Sequence, residues 1–199
     1  MSEFIVTGGP FMWPLLACSV LIIAISIERS WFLQTRLVTP KGLSQQIVNL
    51  VNKDLLTDKQ KEEISNLSSL GFLLISCIKY KDLQRDNLES KIEEKAIEVK
   101  YVLERNLNML GTIATISPLL GLLGTVVGMI TAFTGLTETS GANPDLLAAG
   151  ISQALITTAF GLLIAVPGLV LHKFFEQKVT FLLITLQKKV SNFIDVINK

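Results

Sequence analysis

Thr125, Thr158 and Gln153 are the side chains with chemistry to offer in a region otherwise stripped of it. Residues 106–172 contain no Lys or Arg, and their acids, Glu138 and Asp145, lie in a short polar stretch, 137–145, between two apolar runs. Hydroxyls and amides can hold or relay a proton through hydrogen bonds but do not titrate near neutral pH. These residues could therefore line a proton path, while the group that carries the charge would have to come from another chain. Taken singly, each Thr can also satisfy itself by donating to a carbonyl one turn earlier, and a Gln can serve as a bond between helices. As a pair, Thr125 and Thr158 are more pointed, because each sits on a face of small residues.

Those faces belong to two apolar runs, each long enough to cross a bilayer. On the first, Gly121, Thr125, Gly128, Ala132 and Gly135 recur at steps of 4, 3, 4 and 3, with Gly124 beside them completing a Gly124-xxx-Gly128 pair. On the second, Gly150, Ala154, Thr158, Gly161, Ala165 and Gly168 recur at steps of 4, 4, 3, 4 and 3. Steps of three and four fall on one side of a helix, and small residues there let backbones approach closely in lipid. Ser117 and Pro118 are expected to open the first of these spans. If the two faces turn toward a common interior, Thr125 and Thr158 form a polar band within it, with Gln153 one position from Ala154.

Composition agrees with a membrane protein: 49% of residues are hydrophobic and 18% charged, with a mean hydropathy of +0.50. That balance excludes an ordinary soluble domain and a disordered chain. All 18 Lys and Arg lie in 29–105 or 173–199, which by the positive-inside rule makes those segments cytoplasmic. The expected organisation is a periplasmic N-terminus (1–9), a first span (10–32), a cytoplasmic helical domain (33–108), a second span (109–136), a periplasmic turn (137–145), a third span (146–171) and a cytoplasmic C-terminal helix (172–199). The first span is not read as a cleaved signal peptide, since Glu3 precedes it while Arg29, Arg36 and Lys41 follow it. Trp13 and Trp31 stand near its ends as interfacial anchors would.

The cytoplasmic parts read as helical. Short amphipathic helices are expected over 42–52 and 58–67, a more apolar one over 70–80, and a strong helix from Asp82 running unbroken into the second span. Its apolar side is Leu83, Leu88, Ile92, Ala96, Val99, Leu103 and Leu107. Phe175, Val179, Leu182, Leu186, Val190, Phe193 and Ile197 carry the third span onward in the same way. The mixing of acids and bases on these helices argues against nucleic acid, which asks for a one-sided basic surface. Cys18 and Cys77 are placed too far apart to pair and read as small buried hydrophobes. His172, the single histidine, reads as an interfacial residue and not a ligand, so no metal is expected.

Enzymatic motifs are missing. The run Gly121-Leu-Leu-Gly124-Thr-Val-Val-Gly128 lacks the Lys and the preceding strand of a phosphate-binding loop. No catalytic cluster and no cofactor site is expected.

The segments Ser117-Pro-Leu-Leu-Gly-Leu-Leu-Gly-Thr125-Val-Val-Gly-Met129 and Gly150-Ile-Ser-Gln-Ala-Leu-Ile-Thr-Thr158-Ala-Phe-Gly161 resemble the signatures of the MotA/TolQ/ExbB proton-channel family, on its ExbB and TolQ side. A MotA-like chain would be expected to have a fourth span. The resemblance implies an all-α integral membrane protein of the bacterial inner membrane, with three spans and long cytoplasmic helical extensions, assembling as a pentameric ring. It implies an ExbD- or TolR-like single-span partner that supplies a membrane Asp, and a TonB- or TolA-like protein that carries the work outward. Thr125 and Thr158 match pore-facing threonines of the family. Gln153 stands where several members have Glu, so it can line a path but not titrate. Pro118, Gly121, Gly124, Gly128, Gly150, Ala154, Gly161 and Gly168 are the packing residues of the pore hairpin. The competing reading from another class is a passive membrane scaffold.

Overall fold

The computed structural model describes residues 8–52, 56–138 and 144–197. Among them the regular elements are eight α-helices: α1 Met12–Phe32, α2 Thr35–Val38, α3 Leu43–Asn52, α4 Asp58–Leu67, α5 Ser69–Lys79, α6 Arg85–Glu104, α7 Leu107–Glu138 and α8 Pro144–Ile197. Three are long and apolar enough to cross a membrane: α1, α7 over Leu107–Thr134, and α8 from Leu147. The chain divides into two compact units, Met1–Glu28 with Asn106–Phe174, and Arg29–Arg105 with Phe175–Lys199.

In the first unit α1 packs on the hairpin of α7 and α8, with Ile22 against Gly168. Met12 and Leu15 are wholly buried, whereas Trp13 turns away with 70% of its surface exposed. The core is continued by Leu110, Ile113, Ala114, Ala132, Ala154 and Ala165. Small side chains predominate there because the helices run too close for larger ones. Leu119, Leu122, Leu123, Val126, Ile130 and Phe133 of α7 and Leu155, Leu162, Leu163, Val166 and Val170 of α8 are exposed, as suits an apolar surround.

Two expectations for this region are corrected. Ser117 and Pro118 do not open the span: Pro118 lies inside α7, about three turns beyond its start at Leu107. The helix expected to run from Asp82 into the second span is also not continuous. α6 ends at Glu104, Arg105 leaves the helical region at φ −50°, ψ 139°, and Asn106 adopts φ 63° before α7 begins. Asn tolerates this left-handed conformation better than most residues, because its short polar side chain bonds locally. Here Nδ2 of Asn106 donates to the Glu28 carboxylate at 2.8 Å, and its carbonyl accepts from the Leu110 N–H at 3.1 Å, starting α7.

The second unit is a helical bundle with an aliphatic core. Ser68 caps α5 by accepting from the Gly71 N–H at 3.1 Å, and Gly71 lets α5 close against the Ile64 carbonyl of α4. Leu88, Ile92, Val99 and Leu103 of α6 are buried, as are Phe175, Val179, Leu182, Leu186, Val190 and Phe193 of α8. Leu83 departs from its expected place: it precedes α6 and is 43% exposed. Arg85 bridges two helices, donating to Glu89 of α6 and to Asp195 of α8, both at 2.9 Å. The charges of α6 pair along its own surface, as in Lys91–Glu94 and Lys95–Glu98, the arrangement of a solvated helix. Cys77 is buried, and desolvation pushes its thiol up from 9.0 to about 12. Cys18, by contrast, is only half-buried.

Candidate functional site

The two small-residue faces meet each other. A Cβ added to Gly161 would stand 2.8 Å from the Ser117 carbonyl oxygen and 3.1 Å from the Gly121 Cα. One on Gly121 would lie 3.1 Å from the Thr157 carbonyl oxygen and the Thr158 Cα, and one on Gly128 would lie 3.1 Å from the Ala154 Cβ and the Gly150 carbonyl oxygen. Gly150 faces Ala132, and Gly168 faces Ala114 and Ile22. The glycines thus bring α7 and α8 into backbone contact along most of their shared length. They do not line an open interior within this chain.

The hydroxyls divide accordingly. Thr158 donates across the hairpin to the Gly121 carbonyl at 3.0 Å, while Thr125 donates to the Leu122 carbonyl of its own helix at 2.6 Å. Gly121 and Thr125 are one turn apart, so the two threonines lie close in level on facing helices. Thr125 also borders a shallow groove of about 530 Å³ on the outer side of α7, with Val126, Met129, Ile130, Phe133 and Thr134. Pro118 is half-buried and Ala154 buried. Gly135 lies in α7, but its environment is outside the described residues.

Gln153 and Thr157 look elsewhere. The Gln153 amide packs directly onto Gly9, leaving no room for a Cβ there. Thr157 is 1% exposed, and its Oγ1 lies 3.1 Å from the Gly8 carbonyl oxygen and 2.6 Å from that of Gln153. A Cβ on Gly124 would be 2.8 Å from the Thr157 Cβ. Thr157 therefore sits where both limbs of the hairpin and the segment before α1 converge. Sequence reasoning preferred its neighbour Thr158 and passed over Thr157. The available signal was the Gly8-Gly9-Pro10 turn ahead of the first span, though nothing in it named its receptor.

No group that titrates near neutral pH lies between Leu107 and Thr134 or between Leu147 and Leu171. His172 follows, packed on Gly111, where a Cβ would be 2.9 Å from the ring. Among the described residues no group of three or more His, Cys, Asp or Glu could hold a metal ion. Along the apolar stretches of α7 and α8 the geometry offers close packing, hydroxyls and the Gln153 amide.

A family model described as the MotA/TolQ/ExbB proton channel family matches residues 42–188. The chain belongs to that family. A Synechocystis protein named as an ExbB-like biopolymer transport protein is 31% identical over 87% of this chain and 69% of its own length. The biopolymer transport protein exbB1 of Vibrio cholerae is 32% identical over 80% of this chain and 72% of its own length. The Tol-Pal system protein TolQ of Haemophilus influenzae is 29% identical over 91% and 82% respectively. This chain spans half the length of the ExbB of Salmonella typhimurium. The match to the MotA/TolQ/ExbB model includes α7 and the membrane part of α8, whereas α1 and Gly8–Gly9 precede it.

Proposed function

We propose that the chain is a proton-channel and stator subunit of the bacterial inner membrane, which with an ExbD-like single-span partner converts proton motive force into mechanical work on a TonB-like protein for outer-membrane transport. The observation that carries this reading is the hairpin itself: two close-packed helices with Thr125 and Thr158 at neighbouring levels and no group that titrates near neutral pH between Leu107 and Thr134 or between Leu147 and Leu171. A proton path lined this way needs a carboxylate from elsewhere, and a partner helix with a membrane Asp supplies one. The groove beside Thr125 gives an apolar helix a surface to lie on. Thr125 and Thr158 then line the proton pathway, with Gln153 as a further polar group. Pro118, Gly121, Gly124, Gly128, Gly150, Ala154, Gly161 and Gly168 hold the hairpin closed behind them.

In this reading the chain forms a ring of five around the partner, with its N-terminus and the 137–145 turn periplasmic and its basic segments and C-terminus cytoplasmic. Each proton crossing yields about 2.3 kcal/mol per 100 mV of membrane potential. A TolQ-like role in envelope maintenance is the second reading, favoured by the Haemophilus influenzae TolQ aligning over 91% of this chain.

The test is proton flux through the subunit reconstituted with its partner. Thr158→Val keeps the shape and removes the hydroxyl. It is expected to lower partner-dependent flux about tenfold, the kinetic equivalent of about 1.4 kcal/mol, with Thr158→Ser close to the unsubstituted protein. Unchanged flux in the Val variant rejects a pathway role for Thr158.

A further inference from the structure

We propose that Gly8–Gly9 is a latch, docked on Gln153 and Thr157, that keeps the Gln153 amide out of the proton path until it is released. This inference rests on the proton-path reading above. Three observations converge on it. The Gly8 carbonyl lies 3.1 Å from the hydroxyl of Thr157, itself almost wholly enclosed. Gly9 adopts φ +74°, and its missing Cβ leaves the space that the Gln153 amide fills. The Gly9 carbonyl accepts the Met12 N–H at 3.1 Å, which ties the docked segment to the first turn of α1.

A glycine at position 9 is what this arrangement demands. Gly9 needs both the left-handed backbone and the empty Cβ position. The segment is also irregular backbone set against helices that are otherwise apolar, where polar groups persist only if the protein satisfies them. Thr157 provides that service from α8, to the Gly8 carbonyl. Thr157 is in turn wedged against Gly124 of α7, so a single docking event touches both limbs of the hairpin. Undocking would uncover a backbone carbonyl, a hydroxyl and an amide at once. A cluster of that kind draws water, and water is what a neutral helix pair lacks for conducting protons. While Gly9 occupies the amide, Gln153 has no freedom to turn toward a path on another face of α8.

The experiment has two arms, both on the full chain. In a Cys18→Ala, Cys77→Ala background, Gln153→Cys should alkylate slowly in native membranes and severalfold faster when Gly9→Val is added; equal rates overturn docking. In liposomes holding the protein without its partner and an encapsulated pH-sensitive dye, Thr157→Val and Gly9→Val should each raise proton leak severalfold. Thr157→Ser, which keeps the hydroxyl, should stay at the unsubstituted level. If both Val variants fold and leak no more than the unsubstituted protein, the gate is overturned even where docking holds. A leak that rises equally in Thr157→Ser also overturns it, since the hydroxyl is then irrelevant. If the unsubstituted protein shows no partner-dependent flux, the proton-path reading fails by itself, and the alkylation rates still decide whether the segment docks.

Discussion

Gly161 and Gly111 both lie in the membrane helices, yet their substitution by Ala should differ in cost. At Gly161 a methyl group would press on the Ser117 carbonyl and the Gly121 backbone, neither of which can swing aside. Overpacking of that kind costs about 1–3 kcal/mol, so Gly161→Ala should lower the melting temperature in detergent and weaken hairpin packing. At Gly111 the obstacle is the edge of the His172 ring, a side chain that can rotate, and Gly111→Ala should melt close to the unsubstituted protein. A melting temperature equally lowered by both would refute this account of the contacts. Cys77 supplies a pH test. Its thiol is raised from 9.0 to about 12 by burial, so the folded state favours the neutral form. The stability this contributes is present below about pH 9 and is lost as pH rises toward about 12. With Cys18 replaced by Ala, alkylation of Cys77 at pH 8 should be slow in folded protein and fast after denaturation; equal rates would show that the thiol is not enclosed.

Among the elements, the break between α6 and α7 is the one that periodicity did not foretell. Leu88 through Leu107 keep a helical apolar rhythm across it, and no Gly or Pro interrupts the run, so the pattern alone favoured one continuous helix. What decides the break is the conformation of one residue, Asn106 at φ 63°, held by a bond to Glu28 that is remote in sequence. Asn106→Gly should be tolerated. Asn106→Val should cost roughly 1–2 kcal/mol, because a β-branched residue resists the left-handed region. Comparing the melting temperatures of the two variants checks this, and a Val variant as stable as the Gly variant would mean that the break can be absorbed elsewhere. Other elements were legible for the converse reason. α3, α4 and α5 fall where amphipathic spacing places them, and the α8 stripe from Phe175 to Phe193 is buried as its spacing demands. The small-residue faces were legible too, but spacing says only which residues share a side. That the two sides meet, and that Gln153 turns to Gly9 instead, follows from tertiary packing with no local signature.

For the molecule as a whole, the chain passes between its two units at three places, Glu28–Arg29, Arg105–Asn106 and Phe174–Phe175. The first and third lie within unbroken helices, α1 and α8, and the second coincides with the break. The proposed assembly is testable at this scale. Purification in mild detergent from the native membrane should bring down a small protein with one membrane helix and an acidic residue inside it. Recovery of this chain alone, under conditions that preserve its own oligomer, would count against the stator role and favour the scaffold. One detail of the hairpin bears on what such a visitor would meet. Thr125 and Thr158 each donate their hydroxyl hydrogen to a carbonyl of this same chain, so lone pairs are all they have left to present. A surface that accepts without donating welcomes a protonated carboxyl group and offers nothing to its anion. It sorts a guest by whether the guest is loaded.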